Sequence, residues 1–239
     1  MVVAGTHSGV GKTTVATGLM AALGRRGQRV AGFKVGPDFI DPSYHALATG
    51  RPGRNLDPFL CGEDLIAPLF AHGAAGADLA VVEGVMGLFD GRSGSGGFAS
   101  TAHVARLLDA PVVLVVDARG MADSLTALVS GFRDHDPAVR LAGVVLNQVG
   151  SARHEAALRA ALSRVPGLPV LGVLGRHDDL VTPSRHLGLV PVAERPEHAR
   201  RIVRALGERI AIAVDLAAVE RVAAATPPLA ALAWSPPRA

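Results

Sequence analysis

The sequence predicts a doubly wound, mostly parallel α/β sheet with helices on both faces. Three observations carry this prediction. Val/Leu runs without polar alternation recur along the chain, as parallel strands covered on both sides require. Helical stretches alternate with them from one end to the other. A glycine-rich loop lies between the first run and the first helix. In such sheets ligands bind beyond the carboxyl ends of the strands.

In chain order, Val2–Gly5 reads as the first buried strand. Residues 13–23 read as a helix with Val15, Leu19, Met20 and Leu23 on one face. Gly24 and Gly27, around Arg25 and Arg26, are stop signals for it. Residues 29–35 read as a second strand, and 63–70 as a helix with acids at its start. Further strands are predicted at Leu79–Glu83 and at 111–116, 141–146 and 169–174. Helices are predicted at 101–108, 122–133, 152–163 and 197–207, with a last one at 215–224. This arrangement brings residues 5–13, 35–45 and 83–91, with Asp117 and Asn147, to the ligand-binding edge. Residues 1–225 form one predicted domain. Residues 226–239 carry Pro227, Pro228, Pro236 and Pro237 among small residues and read as a linker or tail.

Composition narrows the function classes. At 239 residues the chain can bury a sizeable core, and no apolar run approaches the roughly 20 residues of a bilayer span. The first residues run straight into the glycine-rich loop, so no signal peptide is expected. The single cysteine, Cys61, excludes an internal disulfide and reads as a small packing residue. The expectation is a soluble, cytoplasmic protein. The net charge of +3 is spread over scattered arginines with few aromatics, which argues against nucleic-acid binding. The chain has only two lysines, Lys12 and Lys34, and both lie at glycine-containing motifs. A compact ammonium suits a phosphate or carboxylate there.

The strongest local motif is Gly5-Thr6-His7-Ser8-Gly9-Val10-Gly11-Lys12-Thr13-Thr14. A strand precedes it and a helix follows, the context of a phosphate loop. Backbone amides of Thr6, Ser8, Gly9, Val10, Gly11, Lys12, Thr13 and Thr14 would cradle the phosphates of ATP. Lys12 would reach the outer phosphates, and the Thr13 hydroxyl would ligate Mg²⁺. A usual phosphate loop has glycine where Thr6 stands. Loops opening Gly-Thr with Val-Gly-Lys-Thr resemble those of dethiobiotin synthetase and its relatives. MinD-type ATPases carry a second lysine where this chain has His7.

Lys34-Val35-Gly36-Pro37-Asp38-Phe39-Ile40-Asp41-Pro42-Ser43-Tyr44-His45 follows the second strand. Taken alone it is either an Asx-turn loop with a helix cap or a polar site. It is similar to the signature of cobyrinic acid a,c-diamide synthases. So are Asn55-Leu56-Asp57-Pro58-Phe59, Val82-Glu83-Gly84-Val85-Met86-Gly87-Leu88-Phe89-Asp90-Gly91, Ser100-Thr101-Ala102-His103-Val104-Ala105 and Ser184-Arg185-His186-Leu187-Gly188-Leu189-Val190-Pro191. Cobyric acid synthase, the sister family, lacks the Gly-Pro-Asp…Asp-Pro pattern.

The resemblance implies a dethiobiotin synthetase-like phosphate-loop fold and Mg-ATP-dependent amidation of the a and c carboxylates of a corrin ring. The partners it implies are a corrin-ring polycarboxylate and ammonia derived from glutamine, with a homodimer as an option. The roles assigned on it are as follows. Lys12, Asp41 and Asp90 are catalytic, and Lys34, Asp41, Tyr44, His45 and Asp90 bind substrate. Thr13, Asp38 and Glu83 hold Mg²⁺, since Glu83 ends a buried strand and its charge needs a partner. Asn147 resembles an adenine-reading asparagine, its alternative being a strand-end turn residue. Residues 91–97 form either a surface loop or a lid, and His177-Asp178-Asp179 reads as a solvated loop. No pair of histidines has metal-binding spacing on a helix, so no structural zinc is expected.

Family members continue into a glutaminase domain, which nothing in this sequence resembles. The expectation is a synthetase half fed by a separate ammonia source, or a truncated chain. A dethiobiotin synthetase-like ligase and a non-catalytic ATP-binding partner stay open as alternatives. So do cobyrinic acid, hydrogenobyrinic acid and another related tetrapyrrole as acceptors.

Overall fold

The computed structural model describes residues 1–176 and 192–235. The signature stretch at 184–191 and His177-Asp178-Asp179 lie outside the described residues. Seven strands, β1 (Val2–Gly5), β2 (Val30–Val35), β3 (Arg54–Leu56), β4 (Leu79–Glu83), β5 (Val112–Asp117), β6 (Leu141–Val149) and β7 (Val170–Gly175), form one sheet. Their order is β3-β2-β4-β1-β5-β6-β7, with every neighbouring pair parallel. Central β1 lies between β4 and β5, so the chain leaves it toward both edges and opens a crevice at the carboxyl ends.

Both faces are covered, which is why the strands carry no polar alternation. Val112, Leu114 and Val116 of β5 enter one core layer, and Val113 and Val115 enter the other. The first layer is completed by α4 (Ile66–Ala74), α5 (Thr101–Leu107), α6 (Ser124–Asp134) and α7 (Ala152–Leu162), through Ile66, Val104, Leu125 and Leu158. The second is completed by α1 (Lys12–Arg25), α8 (Pro196–Ala213) and α9 (Leu216–Ala224), through Leu19, Ile210 and Val219. Burying a side chain such as Leu114 contributes about 1.5–3 kcal/mol. α1 and α8 cross closely because glycines face the contact. A methyl at Gly18 would lie 2.4 Å from Ile210 Cγ1, and one at Gly207 would lie 2.9 Å from Ala21 Cβ.

The departures from the sequence reading are local. The stretch 34–45, read as an Asx-turn loop with a helix cap or a polar site, runs into helix α2 (Asp41–Thr49), with Pro42 in its first turn, where the missing N–H removes no bond. β3 and the one-turn helix α3 (Pro58–Cys61) were not anticipated. The helix expected at 63–70 is a 3₁₀ turn, Glu63–Leu65, that runs into α4. Cys61, expected to pack, is exposed.

Residues 226–235 have no regular structure, yet they are laid on the protein. Leu229 packs against the first core layer, Trp234 N donates to Pro68 O at 3.0 Å, and the Trp234 and His72 rings meet edge to face at 5.6 Å. Among the described residues no helix is long and apolar enough to cross a membrane.

Candidate functional site

The glycine-rich loop joins β1 to α1. Thr6 N donates to Val115 O at 3.2 Å, after which the chain folds over itself through Gly9 and Gly11 at φ +82° and +100°. Only glycine adopts such angles without strain. A methyl at Gly11 would also meet Asn147 Nδ2 at 2.3 Å, so the loop is as tight as its backbone allows. α1 starts after Gly11 with no side chain capping it. The first-turn amides of Lys12, Thr13 and Thr14 therefore point outward from the positive end of the helix, as an anion requires. Lys12 Nζ arches back to His7 O at 3.1 Å. Burial, and then neighbouring Lys34, lower its pKa to about 8 against the pull of Glu83, Asp41 and Asp90. Ser8 and Gly9 are exposed and Val10 is buried. Asn147 braces the loop: its Nδ2 donates to Val10 O at 2.9 Å, and its Oδ1 accepts from Gln148 N at 2.9 Å. These residues fit a nucleotide's phosphates.

Behind the loop lies a buried charge cluster. The β2–β4 register sets Lys34 directly opposite Glu83. Lys34 Nζ donates to Glu83 Oε1 at 3.0 Å, to Gly84 O at 3.0 Å and to Asp41 Oδ2 at 2.8 Å, which uses all three of its protons. Glu83 is 0% exposed and also accepts from Thr13 Oγ1 at 2.5 Å and His45 Nε2 at 2.7 Å. Burial works to raise its pKa, but Lys34 and the bonds from His45 and Thr13 outweigh it and hold the carboxylate ionised. Burial and then Glu83 push Asp41 up to about 6, against the opposing pull of Lys34. For Lys34, burial is opposed by Glu83 and Asp41, which carry it above the usual lysine value.

Several sequence readings change here. Glu83 was given to a metal for want of a partner, but Lys34 already offsets its charge and His45 hydrogen-bonds to it. Lys34, read as a lure for substrate carboxylates, is committed to three acceptors of the protein. Tyr44 and His45, read as substrate contacts, are 2% and 0% exposed. Consecutive helical residues point about 100° apart. Tyr44 accordingly packs with Ala199 and Val203 of α8, while His45 faces Glu83. Asp38 Oδ1 accepts from the amides of Ile40 and Asp41 at 2.7 and 3.0 Å, the Asx-turn arrangement. Asp90 is exposed, with Oδ2 accepting from Gly87 N at 2.9 Å. Arg92, in the 91–97 loop, lies 5.4 Å over the Phe59 ring and links that loop to α3. The sequence reading did not single out Thr101. Its hydroxyl accepts from Val85 N at 2.9 Å and donates to Val85 O at 3.0 Å, stapling α5 to the turn after Glu83.

Thr13 Oγ1 and Glu83 Oε1 converge on one point between the loop and the cluster. Two hard oxygens there suit Mg²⁺, which takes one or two protein ligands and completes its shell with phosphates and water. Among the described residues no group of three His, Cys, Asp or Glu is placed to hold a metal.

Comparison with known proteins adds the following. The family model described as the CobQ/CobB/MinD/ParA nucleotide binding domain matches residues 1–190. The chain is 61% identical over 234 residues to the hydrogenobyrinate a,c-diamide synthase of Streptomyces coelicolor, covering 98% of this chain and 48% of that protein. It is 59% identical over 238 residues to the enzyme of that name from Thermobifida fusca, covering 98% and 50%. The chain thus spans about half the length of the curated relatives it matches. Chloroplast FtsY from Physcomitrella patens superposes with a TM-score of 0.50 at 15% identity, over 86% of this chain and 64% of that one, a likeness of fold.

Proposed function

Since the chain belongs to the CobQ/CobB/MinD/ParA nucleotide-binding domain family, on its a,c-diamide synthase branch, we propose that it is the ATP-dependent synthetase half of a hydrogenobyrinate a,c-diamide synthase. The observation that carries this reading is the junction of the phosphate loop with the buried Lys34–Asp41–Glu83 cluster through the Thr13–Glu83 contact. It puts a phosphate-binding helix end and a set of acidic oxygens at one sheet edge.

A carboxylate is a poor acylating agent because its leaving group is oxide. In the proposed reaction an acceptor carboxylate oxygen attacks the γ-phosphorus of ATP and ADP departs. Ammonia then attacks the acyl carbon of the acyl phosphate, phosphate departs, and a proton is lost to give the amide. Such transfers need positioning and charge neutralisation more than a protein nucleophile. Lys12 and the loop amides would hold the phosphates. Thr13 and Glu83, with Asp38, would hold Mg²⁺, which neutralises phosphate charge when bound. Asp41, with its pKa near 6, would exchange a proton as ammonia adds, and Asp90 would face the acceptor. Lys34, Tyr44 and His45 would act from beneath the site. Asn147 would serve the nucleotide through the loop it braces. Ammonia would come from a glutaminase elsewhere in the full-length protein or in a partner.

The relatives' names support hydrogenobyrinic over cobyrinic acid as acceptor. Incubating the chain with Mg-ATP, ammonium and each acid, with products read by mass spectrometry, tests both points. Diamide from hydrogenobyrinic acid is the expected product. Tight ATP binding with no product from either acid would refute the ligase reading.

A further inference from the structure

α2 carries Asp41 and His45 one turn apart, so both side chains lie on one face. The face clamps the cluster from two sides: Asp41 holds Lys34, and His45 holds Glu83. The two oxygens of Glu83 have separate partners. Oε1 meets Thr13 and Lys34, whereas Oε2 meets His45 Nε2. The space for this approach is built into the sheet. At Gly32 of β2 an added methyl would lie 2.9 Å from His45 Cβ and 3.0 Å from Met20 Sδ. The other ring nitrogen, Nδ1, is buried and has no hydrogen-bond partner among the described residues. An ionised carboxylate only accepts, so the ring donates to Glu83 from Nε2. Among the described residues no other side chain or backbone group competes with Glu83 for the ring's nitrogens.

We propose that His45 is a positioning residue of the nucleotide site: its Nε2–H pins Glu83 Oε2, so that Oε1 is presented beside Thr13 to the metal ion of Mg-ATP. This rests on the reading above that Thr13 and Glu83 hold that ion. His45 touches neither substrate nor nucleotide; it fixes the carboxylate that does the holding. Groups that orient metal ligands affect metal affinity by about 10–100-fold when removed.

The test is calorimetric titration of the chain with ATP, in EDTA and in Mg²⁺, with no acceptor present. His45→Leu is expected to leave metal-free affinity within about twofold, because the loop is untouched, and to lose about 10–100-fold of the gain that Mg²⁺ confers. His45→Gln, whose amide N–H can reach the same oxygen, is expected to recover most of that loss. Gly32→Ala, which pushes α2 outward, is expected to reproduce part of it. In the unsubstituted chain, ¹⁵N NMR is expected to place the ring proton on Nε2, an outcome independent of any variant's folding. An undiminished Mg²⁺ gain in His45→Leu, no recovery in His45→Gln, or a ring proton on Nδ1 would each overturn the proposal. An unsubstituted chain with no Mg²⁺ gain at all would overturn the metal reading itself, and the role of His45 with it.

Discussion

Replacing Lys34 by Met removes one ammonium from three acceptors and leaves Glu83 and Asp41 buried side by side without it. Removing one partner of a buried ion pair costs about 3–5 kcal/mol. At about 2–4 °C per kcal/mol for a chain of this size, Tm should fall by roughly 6–20 °C. The deficit should depend on pH. Asp41 in the folded protein sits near 6, above its ordinary carboxylate value, so the folded state binds its proton more readily than the unfolded one. Its contribution to stability is therefore complete below the unfolded pKa and lost as pH rises through about 6. Lys34 is the group that opposes this loss. Without it the upward shift of Asp41 grows, and Glu83 loses its main counter-charge. At pH 5 protonated Asp41 relieves the repulsion, and Glu83 keeps Thr13 and His45, so the deficit should be about half that at pH 8. Urea denaturation at both pH values, with equal m-values for variant and parent, measures it. A deficit equal at the two pH values, or below about 1 kcal/mol, would refute the ion-cluster argument.

Three further outcomes follow from the same geometry. Lys12 must be protonated to hold phosphate and loses its proton near pH 8, so ATP affinity should weaken above that pH by up to about tenfold per unit. Binding at pH 8.5 should take up protons, which titration in two buffers of different ionisation enthalpy detects; flat affinity from pH 7 to 9 would contradict this. Gly11→Ala forces a methyl onto Asn147 at φ +100°, so it should abolish ATP binding in a filter assay while costing only about 1–3 kcal/mol of stability. Trp234→Ala removes the ring that meets His72 edge to face and should lower stability by about 1–2 kcal/mol. A smaller melting shift than about 1 °C would mean the 226–235 segment is not held.

Strands other than β3 were legible because they are largely apolar runs covered on both faces, and Val2–Gly5 and Leu79–Glu83 match the reading residue for residue. β3 and α3 were not legible because three- and four-residue elements carry no period to detect. α2 was hidden by Asp41-Pro42, which reads as a turn, although Asp41 and His45 at a spacing of four were a helical signal in plain view. The phosphate loop is a local motif, so its chemistry could be read from consecutive residues. The acid cluster is not local. Its geometry depends on the parallel register that sets Lys34 across from Glu83, 49 positions later in the chain, and no pattern along the sequence encodes that pairing.

The same register accounts for the chain's unusual use of its basic residues. Lys34 sits among three acceptors from three directions: a carboxylate on the neighbouring strand, a carboxylate on the following helix, and the carbonyl of Gly84. An ammonium directs three protons away from one point and satisfies that set. A guanidinium spreads its donors in a plane and would leave an acceptor unmet or prise α2 from the sheet. Lys12 faces the matching constraint, since it must pass a loop closed by Gly9 and Gly11 and reach the His7 carbonyl with a single thin stem. Arginine serves this protein on its surface, in exposed pairs such as Arg29–Asp78 and Arg159–Glu155. The two positions where the chain uses lysine are the two where a cation must fit inside a cage that the backbone has already drawn.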